Sequence, residues 1–152
     1  MKKLVGLVIV IGLFVALMGC GAAAPGSGEV SGNYPDKNKV VYHVSELEKV
    51  PFTLGNIRNH LKGVEDPAQM DIILVVHGPA GKAFHNDKIE DGVWKVADDL
   101  ISQGVHLEMC GNTMNAQSVE MDDIMEGFSR RDEGGVVRIA ELQSLGYTYI
   151  RP

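Results

Sequence analysis

Cysteine is scarce in this chain, which has two thiols in 152 residues. Cys20 directly follows an apolar N-terminal stretch, so Cys110 would be the single thiol of the folded part. One thiol cannot form an internal disulfide, and the spacings Cys-x-x-Cys and His-x-x-x-His, which are typical of metal sites, do not occur. The folded part must therefore be stabilised by packing.

Clusters of basic charge are also missing. The chain has 14 Lys and Arg against 20 Asp and Glu, a formal net charge of -6, and the acidic residues are scattered. Removal of Lys2 and Lys3 with the first segment would take this charge from -6 to -8. Because nucleic acids are bound by clustered Lys and Arg, we expect no nucleic-acid partner.

Several common catalytic patterns are absent as well. The segment His77-Gly78-Pro79-Ala80-Gly81 has neither the Walker pattern nor Gly-x-Gly-x-x-Gly, and a Gly-Pro turn explains it. No Gly-x-Ser-x-Gly elbow of a serine hydrolase is present. The sequence predicts no cofactor.

The N-terminal segment has the pattern of an export signal. Lys2 and Lys3 precede an unbroken apolar stretch, Leu4 to Met18, which is shorter than the roughly 20 residues of a spanning helix. Leu17-Met18-Gly19-Cys20 resembles the lipobox of bacterial lipoproteins, which implies a signal peptide over residues 1–19 and lipidation of Cys20. A cleaved signal without lipid and an uncleaved anchor remain alternatives.

Residues 20–38 form the predicted tether. After Cys20 they are mainly Gly, Ala, Pro, Ser and polar residues without apolar periodicity, and a coil of roughly 20 such residues spans about 25 Å. The folded part would then stand on the periplasmic side of a membrane. In a Gram-negative bacterium an outer-membrane location is favoured, because Gly21 stands where inner-membrane retention is associated with aspartate.

Residues 39–152 suit one compact domain. Short β-branched runs predict strands, and apolar residues at helical spacing predict helices. The strands are expected at Val40–Val44, Ile72–Val76, Val105–Met109, Tyr147–Ile150 and, more weakly, Phe128–Arg130, and the helices around Leu54–Leu61, Ile89–Ile101, Met114–Val119 and Val136–Leu142. This alternation predicts an α/β fold of three layers with a mainly parallel sheet of about five strands.

Three predicted strands end near chemically active side chains, namely His43, His77 and Cys110. Ligands bind beyond the carboxyl ends of parallel strands, so we expect these side chains to converge. Cys110 also precedes a short helix that Asn112 or Thr113 could cap, and backbone N–H groups there favour a thiolate. The thiolate is the form that accepts or releases sulfane sulfur.

The third predicted strand has one polar side. Its apolar residues alternate with His106, Glu108 and Cys110. A strand buried on both faces would be apolar throughout. We therefore expect this polar side to meet a crevice or a neighbouring subunit.

These segments resemble the DsrE/DsrF-like family of small sulfur-relay proteins over residues 39–152. The matching segments are 41–44, 75–79, 104–114 and 142–150. The resemblance implies a flavodoxin-like α/β fold and a homo-oligomer built from trimers. It also implies that Cys110 matches the cysteine that carries a persulfide in relay members.

The leading hypothesis is a membrane-tethered sulfur carrier rather than a turnover enzyme. Cys110 would carry the persulfide, and the partner would be a sulfur donor or acceptor protein or a small sulfur compound. The residues expected to bind or to tune the thiolate are His77, His43, Gly78, Gly111, Asn112 and Thr113.

Two other hypotheses remain. A copper or zinc module would use His43, His77 and Cys110 as ligands. A non-catalytic oligomeric protein would need no reactive thiol. Cys110 would then be a small buried residue at a tight turn, with Gly111 allowing close backbone approach and the two histidines bonded to loops.

Overall fold

The computed structural model describes residues 38–152, in which five strands alternate with four α-helices. The strands are β1 Asn38–Val44, β2 Met70–Val76, β3 His106–Cys110, β4 Phe128–Arg131 and β5 Thr148–Ile150, and the helices are α1 Val50–Gly63, α2 Asp91–Ser102, α3 Gly111–Gln117 and α4 Gly135–Ser144. Short 3-10 helices cover Leu47–Lys49, Pro67–Gln69, Gly78–Phe84 and Met121–Asp123. No helix in this range is long and apolar enough to cross a membrane.

The predicted signal peptide, Cys20 and almost all of the predicted tether lie outside the described residues. The exception is Asn38, which is the first residue of β1. The signal, the lipid and the tether therefore stay predictions from sequence.

The five strands form one parallel sheet in the order β4-β3-β2-β1-β5. From β1 to β4 each strand lies beside the one before it, and right-handed crossovers place α1, α2 and α3 on one face. The chain then returns through α4 to the opposite edge, so α4 lies on the other face. The prediction of an α/β three-layer fold is confirmed, and the sheet is parallel throughout.

Two apolar clusters match this division of the helices. The larger one packs one face of β1, β2 and β3 against the three helices on that side, for example Leu74 and Met109 against Leu54 and Leu100. The smaller cluster contains Val41, Ile73 and Val75 from the other face, with Ile139 and Leu142 of α4. The helical layer on the second face is thus formed by α4, and the position of α4 determines which residues are buried there.

Glu108 gives the second face a polar centre under α4. It is 1% exposed and accepts hydrogen bonds from Arg131 of β4 and from Arg138 of α4, whose Nε and Nη2 atoms lie 2.9 and 3.0 Å from its carboxylate oxygens. The polar side of β3 was expected at a crevice or a neighbouring subunit. At Glu108 it instead meets two arginines of the same chain.

Arg138 also binds Glu141, a half-exposed neighbour one turn away on α4, with an N–O distance of 2.7 Å. The hydrogen bonds that Arg138 donates to both carboxylates raise its pKa above the ordinary value, so it stays charged. The pair formed with Glu108 is buried, whereas the pair formed with Glu141 is accessible to water.

We expect Glu108→Ala to lower the free energy of unfolding by about 3 kcal/mol, because removing one partner of a buried ion pair strands the other charge. Glu141→Ala should cost under about 1 kcal/mol, since its pair is screened by solvent. Urea denaturation at neutral pH measures both variants. Equal losses in the two variants would show that α4 is not anchored through Glu108.

Candidate functional site

Cys110 is the last residue of β3 and the N-cap of α3. The sequence predicted a cap at Asn112 or Thr113, and this was wrong because α3 begins at Gly111. A Cβ atom on Gly111 would lie 2.9 Å from the carbonyl oxygen of Arg131. Glycine therefore lets the helix start directly against β4, with the thiol at its first turn.

The Cys110 sulfur is buried but surrounded by hydrogen-bond donors. Burial raises the pKa of the thiol, while the backbone N–H of Gly135, the hydroxyl and N–H of Thr113 and the N–H of Asn112 lower it. The donors prevail, so the pKa of Cys110 lies below its ordinary value. The site therefore favours the thiolate even though Cys110 is only 5% exposed.

Thr113 connects the thiol to the loop after β2. The backbone N–H of Gly78 donates to the Thr113 hydroxyl oxygen at 2.7 Å. A hydroxyl has one hydrogen, and this bond leaves that hydrogen free to donate to Cys110. Gln117 also donates to the Gly78 carbonyl at 2.9 Å, and His85, at 2.8 Å, holds the Gln117 amide. The loop after β2 and α3 are thus fixed relative to each other.

The start of α4 lies between the thiol and His77. A Cβ atom on Gly135 would be 3.2 Å from the Cβ atom of His77 and 3.3 Å from that of Cys110. Gly134 has a φ angle of 92°, and a Cβ atom there would be 2.6 Å from the Asn112 amide nitrogen. These two glycines allow the helix backbone close enough for the Gly135 N–H to reach the sulfur.

His43 and His77 form a direct pair at the ends of β1 and β2. Their Nε2 atoms are 2.6 Å apart, and the ring planes are inclined by 19° with centroids 4.6 Å apart. Face-to-face stacking would keep all ring atoms at least about 3.5 Å apart. The rings therefore meet edge to edge through their nitrogens, and the Nδ1 atom of His43 bonds the Tyr149 hydroxyl at 2.7 Å.

Both imidazoles are held in the neutral form. Burial, the charge of His77 and the charge of Arg151 lower the pKa of His43 to about 4, against a smaller opposite effect of Glu46. Burial and Arg151 likewise lower the pKa of His77. Protonation of both rings would place two donors against each other, which the 2.6 Å contact does not permit.

A cleft of about 520 Å³ opens beside the thiol. Its size is within the range of small-molecule sites. Its wall includes most of the predicted site residues: Cys110, His77, Gly78, Asn112 and Thr113. Val136 and Val137 of α4 and the charged residues Lys82 and Glu133 also line it. The cleft can therefore receive a small molecule or a protruding side chain.

Two predicted site residues lie outside this wall. His43 sits behind His77 and contacts it through Nε2. Gly111 packs against the backbone of Arg131 and Asp132. Within residues 38–152, no group of three or more His, Cys, Asp or Glu side chains is arranged to hold a metal ion. The copper or zinc hypothesis thus has its two histidines in contact but no completed ligand set there.

The sequence reasoning missed several residues of the site: Gly134, Gly135, Tyr149, Lys82 and Gln117. The first two had a readable signal, because a Gly-Gly pair directly before a helix often marks a close backbone approach. Tyr149 is separated from His43 by 106 positions, so no local pattern could connect them.

No known protein-family model and no curated protein matches this chain. Among solved structures it is similar to the protein of unknown function MTH1491 from Methanobacterium thermoautotrophicum, with a TM-score of 0.68 and 28% identity over 76% of this chain and 100% of the other. It is also similar to the YchN protein from E. coli, with a TM-score of 0.63 and 14% identity over 76% of this chain and 99% of the other. The described residues therefore share the fold of MTH1491 and YchN.

Proposed function

We propose that this protein carries sulfane sulfur as a persulfide on Cys110. The observation that supports the proposal is the donor set around the sulfur, which lowers the thiol pKa despite burial. A thiol that only filled space would need no such donors, and burial alone would raise its pKa. The adjacent cleft gives a sulfur compound access to the same residue.

The transfer needs no external oxidant. The Cys110 thiolate attacks the outer sulfur of a donor persulfide, R–S–SH, and a new sulfur–sulfur bond forms as the donor bond breaks. The electron pair leaves on R–S⁻, which takes up a proton to become R–SH. In the second half, an acceptor thiolate attacks the outer sulfur on Cys110 and restores its thiolate. The protein is thus a carrier that returns to its starting state.

The cleft suits either a small persulfide or the cysteine of a partner protein. Its volume is about 520 Å³, and the apolar residues Val136 and Val137 line it together with Cys110. These two valines are among the exposed large apolar side chains of the described residues. Assembly into a homo-oligomer built from trimers stays a prediction.

We expect wild-type protein treated with inorganic polysulfide to gain sulfur, with the first added atom on Cys110. With Cys20→Ala present in both proteins to remove the second thiol, Cys110→Ser should gain none, because the remaining hydroxyl does not attack sulfane sulfur under these conditions. Intact-mass measurement before and after treatment with a reductant checks both results. Absence of a reducible sulfur adduct on wild type, or an equal adduct on Cys110→Ser, would contradict the proposal.

We expect Gly135→Ala to raise the Cys110 pKa toward the ordinary value of about 8.5. The added methyl group would have to push against His77 and Cys110, at 3.2 and 3.3 Å, and so lengthen the N–H···S bond. The rate of thiol alkylation as a function of pH gives the pKa. Gly55→Ala in α1 is the matched control, since no atom lies within 4 Å of its new Cβ. If the alkylation rates of the two variants depended on pH in the same way, the Gly135 N–H would not be a donor to the Cys110 sulfur.

We also propose that lipid on Cys20 tethers the protein to the membrane after export. The support is the sequence Leu17-Met18-Gly19-Cys20 after the apolar stretch. In a bacterial host, wild-type protein should incorporate labelled fatty acid and sediment with membranes, and Cys20→Ala should do neither. Equal labelling of the two proteins would exclude Cys20 as the lipid site.

A further inference from the structure

A continuous line of hydrogen bonds crosses the carboxyl edge of the sheet from β5 to β2. The Tyr149 hydroxyl is 2.7 Å from Nδ1 of His43, and Nε2 of His43 is 2.6 Å from Nε2 of His77. Tyr149 is 38% exposed, so one end of the line reaches solvent. His77 lines the cleft beside Cys110, so the other end reaches the site.

The proton count of this line is fixed by its geometry. A neutral imidazole has one N–H, and two facing Nε2 atoms at 2.6 Å need one proton between them. If His43 holds that proton, its Nδ1 accepts from Tyr149 and His77 carries its own proton on Nδ1. If His77 holds it, the Nδ1 proton of His43 points to the Tyr149 oxygen. The two arrangements differ by a shift of every proton along the line.

The free end of the line is Nδ1 of His77. This atom makes no hydrogen bond within residues 38–152, and it is not among the buried polar atoms that lack a partner there. It is therefore not fully buried, and its side chain lines the cleft. A bound molecule can reach this nitrogen, whereas both nitrogens of His43 are already engaged.

We propose that Tyr149, His43 and His77 form a proton relay between solvent and the cleft. This inference rests on the proposed sulfur transfer, in which a thiolate R–S⁻ leaves the cleft. His77 gives its Nδ1 proton to R–S⁻, the proton on His43 Nε2 moves to His77 Nε2, and the Tyr149 proton moves to His43 Nδ1. Water restores the Tyr149 proton. One proton enters, one leaves, and no group is oxidised.

The relay solves a difficulty that the neutral histidines create. The pKa of His43 is lowered to about 4 and that of His77 is also lowered, so imidazolium is scarce at neutral pH. A neutral imidazole donates its proton readily only when another proton replaces it at once. The charged or titratable groups around the pair are Tyr149, Arg151, Glu46, Cys110, Lys82 and Glu133. Of these, Tyr149 alone hydrogen-bonds an imidazole within the described residues.

Tyr149→Phe tests the relay because it removes the hydroxyl and keeps the ring. In single-turnover transfer from glutathione persulfide, the variant should react about a hundredfold more slowly than wild type at neutral pH, the low end of a general acid's contribution. Only imidazolium can then supply the proton, so the ratio of wild-type to variant rate should grow with pH. The final extent of sulfur loading should be the same in both proteins.

Tyr147→Phe is the matched control, because its hydroxyl bonds Asp71 at 2.6 Å and is not part of the line. Its transfer rate should equal that of wild type. A Tyr149→Phe rate equal to wild type, or a ratio that does not change with pH, would overturn the relay.

Nitrogen-15 spectra of the imidazoles give a readout that does not depend on sulfur transfer. Tyr149→Phe should shift the tautomer signals of both His43 and His77, since the two rings share a proton. A change at His43 without any change at His77 would overturn the relay. If wild type accepts no sulfur, the proposed function fails by itself, and these spectra still decide whether the three residues exchange protons as one unit.

Discussion

The position of the first turn of α4 on the second face of the sheet is the constraint on which the site depends. Glu108 of the sheet anchors that helix through the buried ion pair with Arg138. Gly135 lets the helix backbone approach Cys110 and His77. That position allows the Gly135 N–H to act as a donor to the Cys110 sulfur, and it places Val136 and Val137 in the lining of the cleft. A small displacement of α4 would therefore have two effects at once. It would remove a hydrogen-bond donor from the thiol, and it would change the shape of the cleft.

Two opposing effects set the state of the thiol. Removing Cys110 from water disfavours its charged form, and a fully buried group can shift by about 3–5 pKa units in that direction. Hydrogen bonds to a charged group each contribute about 1.5–3 kcal/mol, and about 1.4 kcal/mol corresponds to one pKa unit. Because donors from α3 and α4 converge on a sulfur that also borders a cleft, they outweigh the cost of burial.

The sequence was sufficient for the layers and for the edge of the sheet where the site lies, because β-branched runs mark buried strands and the carboxyl ends of parallel strands share an edge. It was insufficient for contacts between distant segments. Glu108 is 30 positions from Arg138, and His43 is 106 positions from Tyr149. The start of α3 was also missed, since glycine normally ends a helix and only the packing of Gly111 against β4 explains it there.

The thiolate and the imidazoles at this edge are stabilised by different means. In a cysteine–histidine ion pair, an imidazolium lowers the thiol pKa and later donates the proton. Here backbone N–H groups and the Thr113 hydroxyl lower the pKa of Cys110, and no imidazole charge contributes. Burial keeps His43 and His77 neutral. The Cys110 thiolate is thus stabilised without the histidines, and in the transfer that we propose their shared proton is available to protonate the leaving group.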